Sequence, residues 1–371
     1  MTITLSAMLK KLVALAIFSL LSIPPVQALH SLDKYVSAKQ LASPGLLVVN
    51  STDRSVLAQN KSDTPRIPAS VLKLLSTTAA LYFIGPDKQY STKIYRTAEA
   101  DTFYIKGTLD PWLTSNLSFA KKNKQRFLPG LVSKANTENR KKLKIVYAGL
   151  FEKDTTELAA NLKKKGIKLS FQKISSAEAE ALGIEELASV TSVPVSEMVK
   201  FVTLWSDNRL ADRLAKDAAR EIGFETDGKG LTTTFKLALD ALGVDHTGLV
   251  VKDGSGLSKE NRVSATTIVN LLMTIRNNPT YAAIYEGLPV GGKTGTLQKR
   301  FLETAPDAVG KVRAKTGWVN NSVTLAGYVQ NGETEYAFAI LADGITPSFT
   351  ARNKARAAMD RFLGVIVKGN H

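Results

Sequence analysis

The sequence predicts a mixed α/β (α+β) fold in which a core of sheet and helices is interrupted by an inserted smaller domain. Strand-like stretches occur near both ends of the chain, helical patterns lie between them, and a Lys-rich middle region has only short apolar runs. The chain has 371 residues, of which 44% are hydrophobic and 22% charged, so it can bury a large core. We expect this core to comprise residues 29–96 and 190–371, with residues 97–189 inserted.

The first 28 residues have the pattern of a secretory signal peptide. Lys10 and Lys11 precede an apolar run at 12–21, and residues 26–28 suit a cleavage site. The run is short for a membrane-spanning helix, although an uncleaved anchor remains the alternative. Either way we expect the protein to be exported and to work in the periplasm, outside the cell or at the cell wall.

After the signal, a strand pair at 45–50 and 55–58 leads into a helix that begins near Pro68, a residue suited to a helix entry. Ser70 and Lys73 are three residues apart and share one face of its first turn. An amine held there can take the hydroxyl proton and activate a weak nucleophile. Ser70 is therefore the candidate nucleophile and Lys73 its base.

The middle of the chain is predicted to be largely helical. Ser206, Asp207 and Asn208 lie where two of its helices meet, and all three residue types are good helix caps. Capping by itself would explain them. The predicted elements here are helices at 155–165, 195–205, 209–223 and 232–242 and a turn-rich loop at 250–258, and residues 143–147 form a short apolar run.

The last third of the chain is predicted to form most of a sheet. A strand enters at 311–315, and a hairpin follows at 323–330 and 335–342, around the strong turn sequence Asn331-Gly332. An amphipathic helix at 351–367 closes the chain. With strands at both ends of the sequence, one sheet can bring the Ser70 helix, the helix junction and the 311–317 segment into one cleft.

Lys-Thr-Gly occurs twice, at 293–295 and at 315–317. The second copy has strand context and runs into the hairpin, which suits a substrate that docks along a sheet edge. We therefore assign Lys315, Thr316 and Gly317 to the site and keep Lys293 as the lesser candidate.

The first copy also completes a formal P-loop pattern at 287–294, and the apolar run 338–343 ends in Asp343, as a metal-holding partner of a P-loop would. A nucleotide-binding function is thus a remote alternative. The predicted export signal and the lack of a clear strand before Gly287 count against it.

The cysteine and histidine content limits the kinds of catalytic or metal site that the chain can form. The sequence has no cysteine, which excludes a disulfide framework and thiol catalysis. Its three histidines, His30, His246 and His371, are far apart, so we expect neither a metal site nor a cofactor, and His246 is predicted to lie in a turn.

The net charge of +16 falls to +14 without residues 1–28, which carry two lysines and no acidic residue. Such a charge favours polyanions. An exported chain meets anionic wall polymers and lipid headgroups, so we expect peripheral contacts with these and no nucleic acid, while most lysines form solvated faces.

The order Ser-x-x-Lys, Ser-Asp-Asn and Lys-Thr-Gly is shared by penicillin-binding proteins and serine β-lactamases. The chain resembles the class C low-molecular-mass penicillin-binding proteins, the D-alanyl-D-alanine carboxypeptidase and endopeptidase family. Further segments carry this resemblance: Ile84-Gly85-Pro86-Asp87, Asp110-Pro111, residues 253–258, Gly295-Thr296-Leu297 with Arg300, and residues 313–317 through 325–329.

The resemblance implies a serine β-lactamase/transpeptidase-like core that binds peptidoglycan peptides and β-lactam antibiotics. It implies that Ser206 relays the proton to the leaving amine and that Lys315 tunes Ser206 and Lys73 electrostatically. It also implies that Asn208 holds the acyl-side amide, that Thr316 binds the substrate carboxylate, and that the backbone N–H groups of Ser70 and Trp318 meet the oxyanion.

Three departures from the family pattern stand out. Only 132 residues separate Lys73 from Ser206, so the insertion is reduced. Trp318 stands where the family usually has Thr or Ser, which predicts a weaker preference for a free carboxylate, and residues 147–151 lack an acidic residue found in relatives. A non-catalytic or weakly active wall-binding relative and a β-lactamase therefore remain alternatives, although no convincing Glu-x-x-Leu-Asn motif supports the latter.

Overall fold

The structure, a computed structural model, describes residues 32–175, 178 and 182–369. The predicted signal peptide, His30 and His371 lie outside the described residues. Within the described part, no helix is both long and apolar enough to cross a bilayer.

The described residues form strands β1 (Gly45–Asn50), β2 (Val56–Asn60), β3 (Ser91–Arg96), β4 (Thr102–Gly107), β5 (Leu113–Thr114), β6 (Arg126–Phe127), β7 (Lys142–Ala148), β8 (Lys168–Lys173), β9 (Glu185–Thr191), β10 (Val312–Val319), β11 (Ser322–Asn331) and β12 (Thr334–Ala342). The helices are α1 (Asp33–Val36), α2 (Lys73–Phe83), α3 (Leu117–Asn123), α4 (Leu128–Ala135), α5 (Glu152–Lys163), α6 (Val195–Trp205), α7 (Asn208–Glu221), α8 (Gly228–Asp240), α9 (Ala265–Ile275), α10 (Ala282–Gly287) and α11 (Phe349–Lys368).

The larger sheet is antiparallel, with the strand order β10-β11-β12-β1-β2. Its N-terminal strand β1 pairs with the last strand, β12, from Gly45 opposite Leu341 to Asn50 opposite Tyr336. One sheet is therefore built from both ends of the chain, as the sequence predicted. Strand β10 lies at an edge of this sheet, and part of its outer side pairs with residues 289–291 through the bridge between Val290 and Arg313.

Both faces of this sheet are covered by helices. Along β1, Leu46 and Val48 pack with α11, whereas Leu47 and Val49 pack with the layer that contains α2, α6, α7, α8 and α9. Successive side chains of a strand point to opposite faces, so a strand that is covered on both faces must be apolar throughout. This explains the unbroken apolar run at 46–49 and gives a three-layer core.

The smaller sheet has the order β8-β7-β4-β3-β9, in which β4, β7 and β8 run parallel and β3 is antiparallel to both of its neighbours. Helices α4 and α5 pack against it around a separate apolar cluster. We propose that this sheet forms the inserted domain. The pairing of β3 with β9 favours boundaries at Ser91 and Thr191 rather than at 97 and 189.

Most predicted elements of the core match the structure, with shifts at their ends. In the hairpin of β11 and β12, Asn331 lies opposite Thr334. Its turn therefore consists of Gly332 and Glu333, one residue later than predicted. His246 lies in a loop, as predicted, with Nε2 2.9 Å from Oδ1 of Asp240.

The P-loop alternative is wrong. Gly287 ends helix α10 and is not preceded by a strand, and Lys293-Thr294 leads into a single 3-10 turn, Gly295–Leu297, instead of a helix. Asp343 accepts hydrogen bonds from the Arg66 guanidinium and the Ile67 N–H, both at 3.1 Å, and so supports the segment before Ser70.

Candidate active site

Ser70 lies in a 3-10 turn, Ala69–Leu72, that continues directly into α2. The larger sheet holds the preceding residues, since Ser322 Oγ donates to the Ile67 carbonyl at 2.9 Å and Thr324 Oγ1 donates to the Pro68 carbonyl at 2.7 Å. Ala69 has φ +46°, a left-handed conformation that costs free energy in an L-residue. The turn is thus fixed on the sheet at the point where Ser70 leaves it.

Lys73 is fully buried at the start of α2, and its amine contacts three oxygens. Nζ lies 2.8 Å from Ser70 Oγ and 2.7 Å from Asn208 Oδ1, and it also contacts the Ser255 carbonyl. Burial lowers the pKa of Lys73 to about 7, although Asp253, Asp207 and Asp212 act in the opposite direction.

These contacts fit a neutral amine. An uncharged amine has two N–H donors and one lone pair, whereas an ammonium group has three donors and no acceptor. An ammonium group could donate to all three oxygens. In the neutral amine, the two donors go to the Asn208 amide oxygen and the Ser255 carbonyl, which can only accept, and the lone pair is left for the Ser70 hydroxyl. In this form Lys73 can accept the proton of Ser70.

The three residues at the junction of α6 and α7, Ser206, Asp207 and Asn208, make different contacts. Asp207 caps α7 by accepting from the Leu210 N–H at 2.7 Å, so the capping interpretation holds for this residue. Ser206 ends α6 at φ +61°, a turn that directs its hydroxyl toward Lys315. The structure thus brings Ser206 and Asn208 to the two buried lysines.

Lys315 is fully buried on β10, with Nζ 2.8 Å from both Ser206 Oγ and the Thr316 carbonyl. Burial and then the neighbouring Lys73 amine lower its pKa well below the usual range. Lys293, from the first Lys-Thr-Gly copy, is exposed and lies against Gly310, away from this cluster. The second copy is therefore the one that the structure brings to Ser70.

Gly317 lets β10 approach the nucleophile. A Cβ atom at this position would lie 2.7 Å from the Ser70 backbone nitrogen and 2.3 Å from Thr324 Oγ1, closer than packed atoms allow. The strand therefore runs directly beside the Ser70 N–H, with the Trp318 backbone next along it. The Trp318 side chain is 47% exposed.

Two contacts of the candidate site were not predicted from the sequence. The Ser255 carbonyl reaches Lys73 because Asp253 accepts hydrogen bonds from the N–H groups of Ser255 and Gly256, at 2.8 and 2.7 Å, and so folds the loop. Thr316 Oγ1 donates to Thr296 Oγ1 at 2.8 Å. The Asp-Gly-Ser-Gly turn sequence was a usable signal for the first contact, whereas nothing local pointed to the second.

Six of the predicted site residues line a single cleft of about 1120 Å³. They are Ser70, Ser206, Asn208, Thr316, Gly317 and Trp318. A second cavity, of about 670 Å³, adjoins it at Asn208 and Leu257 and extends to Phe151. Arg213 stacks on Phe151, with its guanidinium carbon 4.0 Å from the ring centroid. Among the residues that the structure covers, no group of acidic, His or Cys side chains could hold a metal ion.

The fold and the order of these motifs define a class, the serine enzymes with a β-lactamase/transpeptidase-like core. More particularly, the chain belongs to the D-Ala-D-Ala carboxypeptidase 3 (S13) family, whose model matches residues 28–125 and 135–365.

Individual relatives agree with this membership. The chain is similar to a D-alanyl-D-alanine carboxypeptidase of Actinomadura sp. (strain R39), with 40% identity over 169 residues, which cover 43% of this chain and 30% of that protein. It is also similar to D-alanyl-D-alanine carboxypeptidase DacB of Haemophilus influenzae, with 30% identity over 182 residues, 47% of this chain and 37% of that protein. The chain thus matches only 30% and 37% of the lengths of these two relatives.

The solved structure of penicillin-binding protein 4 from Haemophilus influenzae has the same fold, with a TM-score of 0.71 at 18% identity, covering 91% of this chain and 99% of that one. A predatory endopeptidase from Bdellovibrio bacteriovorus has a TM-score of 0.65 at 19% identity, covering 88% and 93% of the two chains.

Proposed function

We propose that this chain is a serine-type DD-peptidase that cleaves D-alanyl-D-alanine stem peptides or cross-links of peptidoglycan through an acyl-enzyme on Ser70. The observation that carries the proposal is the 2.8 Å contact between Lys73 Nζ and Ser70 Oγ, made by an amine whose pKa burial lowers to about 7. A nearby base that is neutral at working pH is what a serine nucleophile requires.

In the proposed reaction, Ser70 Oγ attacks the carbonyl carbon between the two D-alanines while its proton passes to Lys73. The C–N bond then breaks, and Ser206 relays the proton that Lys73 took from Ser70 to the leaving amine, which restores the neutral amine of Lys73. Lys315, 2.8 Å from Ser206 Oγ, supports that transfer electrostatically. Water hydrolyses the ester and frees Ser70.

The proposed roles of the remaining residues are those that the family resemblance implies, and their positions in the cleft support them. Asn208 holds the amide of the acyl side, and Thr316 binds the substrate beside β10. The backbone N–H groups of Ser70 and Trp318 stabilise the oxyanion, each donor contributing about 100- to 1000-fold in rate. No metal or cofactor takes part in these steps.

The proposal includes acylation by β-lactams and action outside the cytoplasm. Solved structures of this fold include the Haemophilus influenzae protein complexed with a β-lactam and a Bdellovibrio bacteriovorus endopeptidase acylated by penicillin G. For this chain, support comes from its own Ser70 geometry and from the predicted signal peptide at residues 1–28. Contact of its basic surface with anionic membrane or wall polymers belongs to the same proposal.

Labelling with a fluorescent penicillin tests the proposed function. The protein without residues 1–28 should be labelled, and Ser70→Ala should abolish the label while circular dichroism stays unchanged. The two Lys-Thr-Gly copies provide a matched pair: Lys315→Ala should slow labelling at least about 100-fold, whereas Lys293→Ala should change it less than about twofold. A label on another serine, or no label at all, would refute the assignment.

Release of the label separates the remaining candidates. Retention for hours supports a DD-peptidase, whereas complete turnover within seconds supports a β-lactamase. A labelled protein that cleaves neither D-alanyl-D-alanine peptides nor cross-linked peptides would be a silent relative.

A further inference from the structure

Trp318 lies beneath two arginines of helix α11. The guanidinium carbons of Arg356 and Arg352 lie 4.6 and 4.9 Å from the centroid of its ring. A cation over an indole face is attracted by the ring, by about 0.5 to 1 kcal/mol at exposed sites. The indole ring thus holds cationic side chains next to the last residues of strand β10.

Only one of these arginines faces the cleft. Arg356 lines the same cavity as Ser70 and Thr316, and Arg352 does not. Arg352 instead donates a hydrogen bond to the Asn320 carbonyl at 2.9 Å. The two arginines therefore share an aromatic partner, but only Arg356 has access to the cleft.

Arg356 has no carboxylate partner among the described residues; its guanidinium donates to the Asn353 amide oxygen at 3.2 Å. The nearby carboxylate of Asp360 is already engaged, because Arg300 Nε lies 3.0 Å from each of its oxygens and Thr304 Oγ1 donates to it at 2.9 Å. Arg356 is thus a half-buried cation that forms no ion pair among the described residues, because the nearby Asp360 is held by Arg300.

The charge of this part of the cleft is positive. Three cationic side chains line it, against two carboxylates, one of which is the engaged Asp360; the cations are Lys299, Arg300 and Arg356, and the other acid is Glu303. A guanidinium presents a planar fork that matches the two oxygens of a carboxylate. The chemistry of the site therefore favours an anionic, planar group.

We propose that Arg356, seated on Trp318, binds the carboxylate of the leaving group. This inference rests on the proposed function, in which Asn208 holds the acyl side, and it adds that the departing amine leaves on the side of the cleft lined by Trp318 and Arg356. In a D-alanyl-D-alanine peptide, the carbon bonded to the leaving nitrogen carries the terminal carboxylate. Arg356 supplies the donors that a hydroxyl at position 318 would otherwise provide, so preference for a free carboxylate is retained, contrary to the expectation from Trp318 alone.

The test compares benzylpenicillin with its methyl ester. In a penicillin the carbon bonded to the leaving ring nitrogen carries the carboxylate, and esterification removes only its charge. Rates of Ser70 acylation by both compounds are measured by intact-protein mass for the wild type, Arg356→Gln, Arg356→Lys and the matched control Arg352→Gln. The readout is the ratio of the acid rate to the ester rate.

We expect Arg356→Gln to lower this ratio about ten- to a hundredfold, the loss typical of one charge-assisted contact, with partial rescue in Arg356→Lys. Arg352→Gln should leave the ratio within about twofold of the wild type. An equal fall for both compounds in Arg356→Gln, or the same fall of the ratio in Arg352→Gln, overturns the inference. If the wild type is acylated by neither compound, the proposed function has failed and the inference falls with it; if it is acylated equally by both, only the inference fails.

Discussion

Lys73 and Lys315 place two amines in one buried cluster, each in contact with a different serine hydroxyl. Burial lowers the pKa of both, and the charge of Lys73 further lowers the pKa of Lys315. Groups coupled in this way titrate as a pair, so the second proton is bound less readily than the first. These shifts in pKa favour the neutral amine that a proton acceptor requires.

Acylation of Ser70 should depend on pH through Lys73. Because the pKa of Lys73 is lowered to about 7, its neutral fraction, and hence the rate, should rise about tenfold per pH unit below pH 7 and level off above it. Acylation by a β-lactam, followed from pH 5 to 9 and corrected for spontaneous hydrolysis, measures this. A rate that is flat or that falls across this range would show that Lys73 is not the base.

The same burial links folding to pH. In the unfolded chain both lysines have ordinary pKa values near 10.4, so between about pH 7 and that value the unfolded state binds more protons than the folded state. The contribution of these two residues to the free energy of unfolding should therefore increase with pH across this window.

Strand β10 is the element on which the site's geometry depends most. It carries Lys315 inward, leaves Thr316 in the cleft, and passes close to the Ser70 N–H at Gly317. Thr324 of the neighbouring strand β11 holds Pro68 in turn. A small shift of β10 would therefore move several groups of the site together.

Gly317→Ala should abolish activity by displacing this strand. The added Cβ would meet the Ser70 nitrogen at 2.7 Å, so β10 must move away, and we expect acylation to fall at least about 100-fold through loss of an oxyanion donor. Overpacking of this kind typically costs about 1 to 3 kcal/mol in the free energy of unfolding.

Gly344→Ala is the matched control, because its Cβ would meet Ala42 only at the ordinary distance of 3.4 Å. It should keep the wild-type acylation rate. Penicillin labelling and urea denaturation of both variants make the comparison, and a normal rate in Gly317→Ala would show that the strand does not need this close approach.

On the scale of the whole molecule, a buried ion pair joins the proposed inserted domain to the catalytic core. Asp154 of helix α5 contacts Arg209 and Arg213 of α7, the helix that begins at Asn208. The side chains of Asp154 and Arg213 are only 2% and 6% exposed. Helix α5 thus contacts the helix whose first residue, Asn208, accepts a hydrogen bond from Lys73.

Asp154→Ala should destabilise the protein and slow its acylation. Removing one partner leaves the buried Arg213 uncompensated, which typically costs about 3 to 5 kcal/mol in the free energy of unfolding. Asp101→Ala is the control: Asp101 pairs with Arg140 but is 73% exposed, so the loss should stay within about 1 kcal/mol. Urea denaturation gives both values, and equal, small losses would show that α5 does not support α7.

The sequence predicted the core well because periodic apolar patterns and local motifs encode it. The strand pair at the N terminus, the Ser70 helix, the junction at Ser206 and the last hairpin all carry local signals. The smaller sheet was not resolved into strands, because β8 and β9 are largely exposed and lack an apolar run. Arg356 and Thr296 were not predicted for the site, since they approach it only through tertiary packing.

The pairing of β1 with β12 has a consequence for biosynthesis. Lys315 is synthesised 245 residues after Ser70, and the sheet that holds the Ser70 turn is completed only by β11 and β12. Closing such a long loop makes folding slow, since contacts distant in sequence must form before the sheet is stable. A growing or truncated chain that lacks the last third of the sequence therefore carries Ser70 without Lys315 and without the complete sheet that holds its turn.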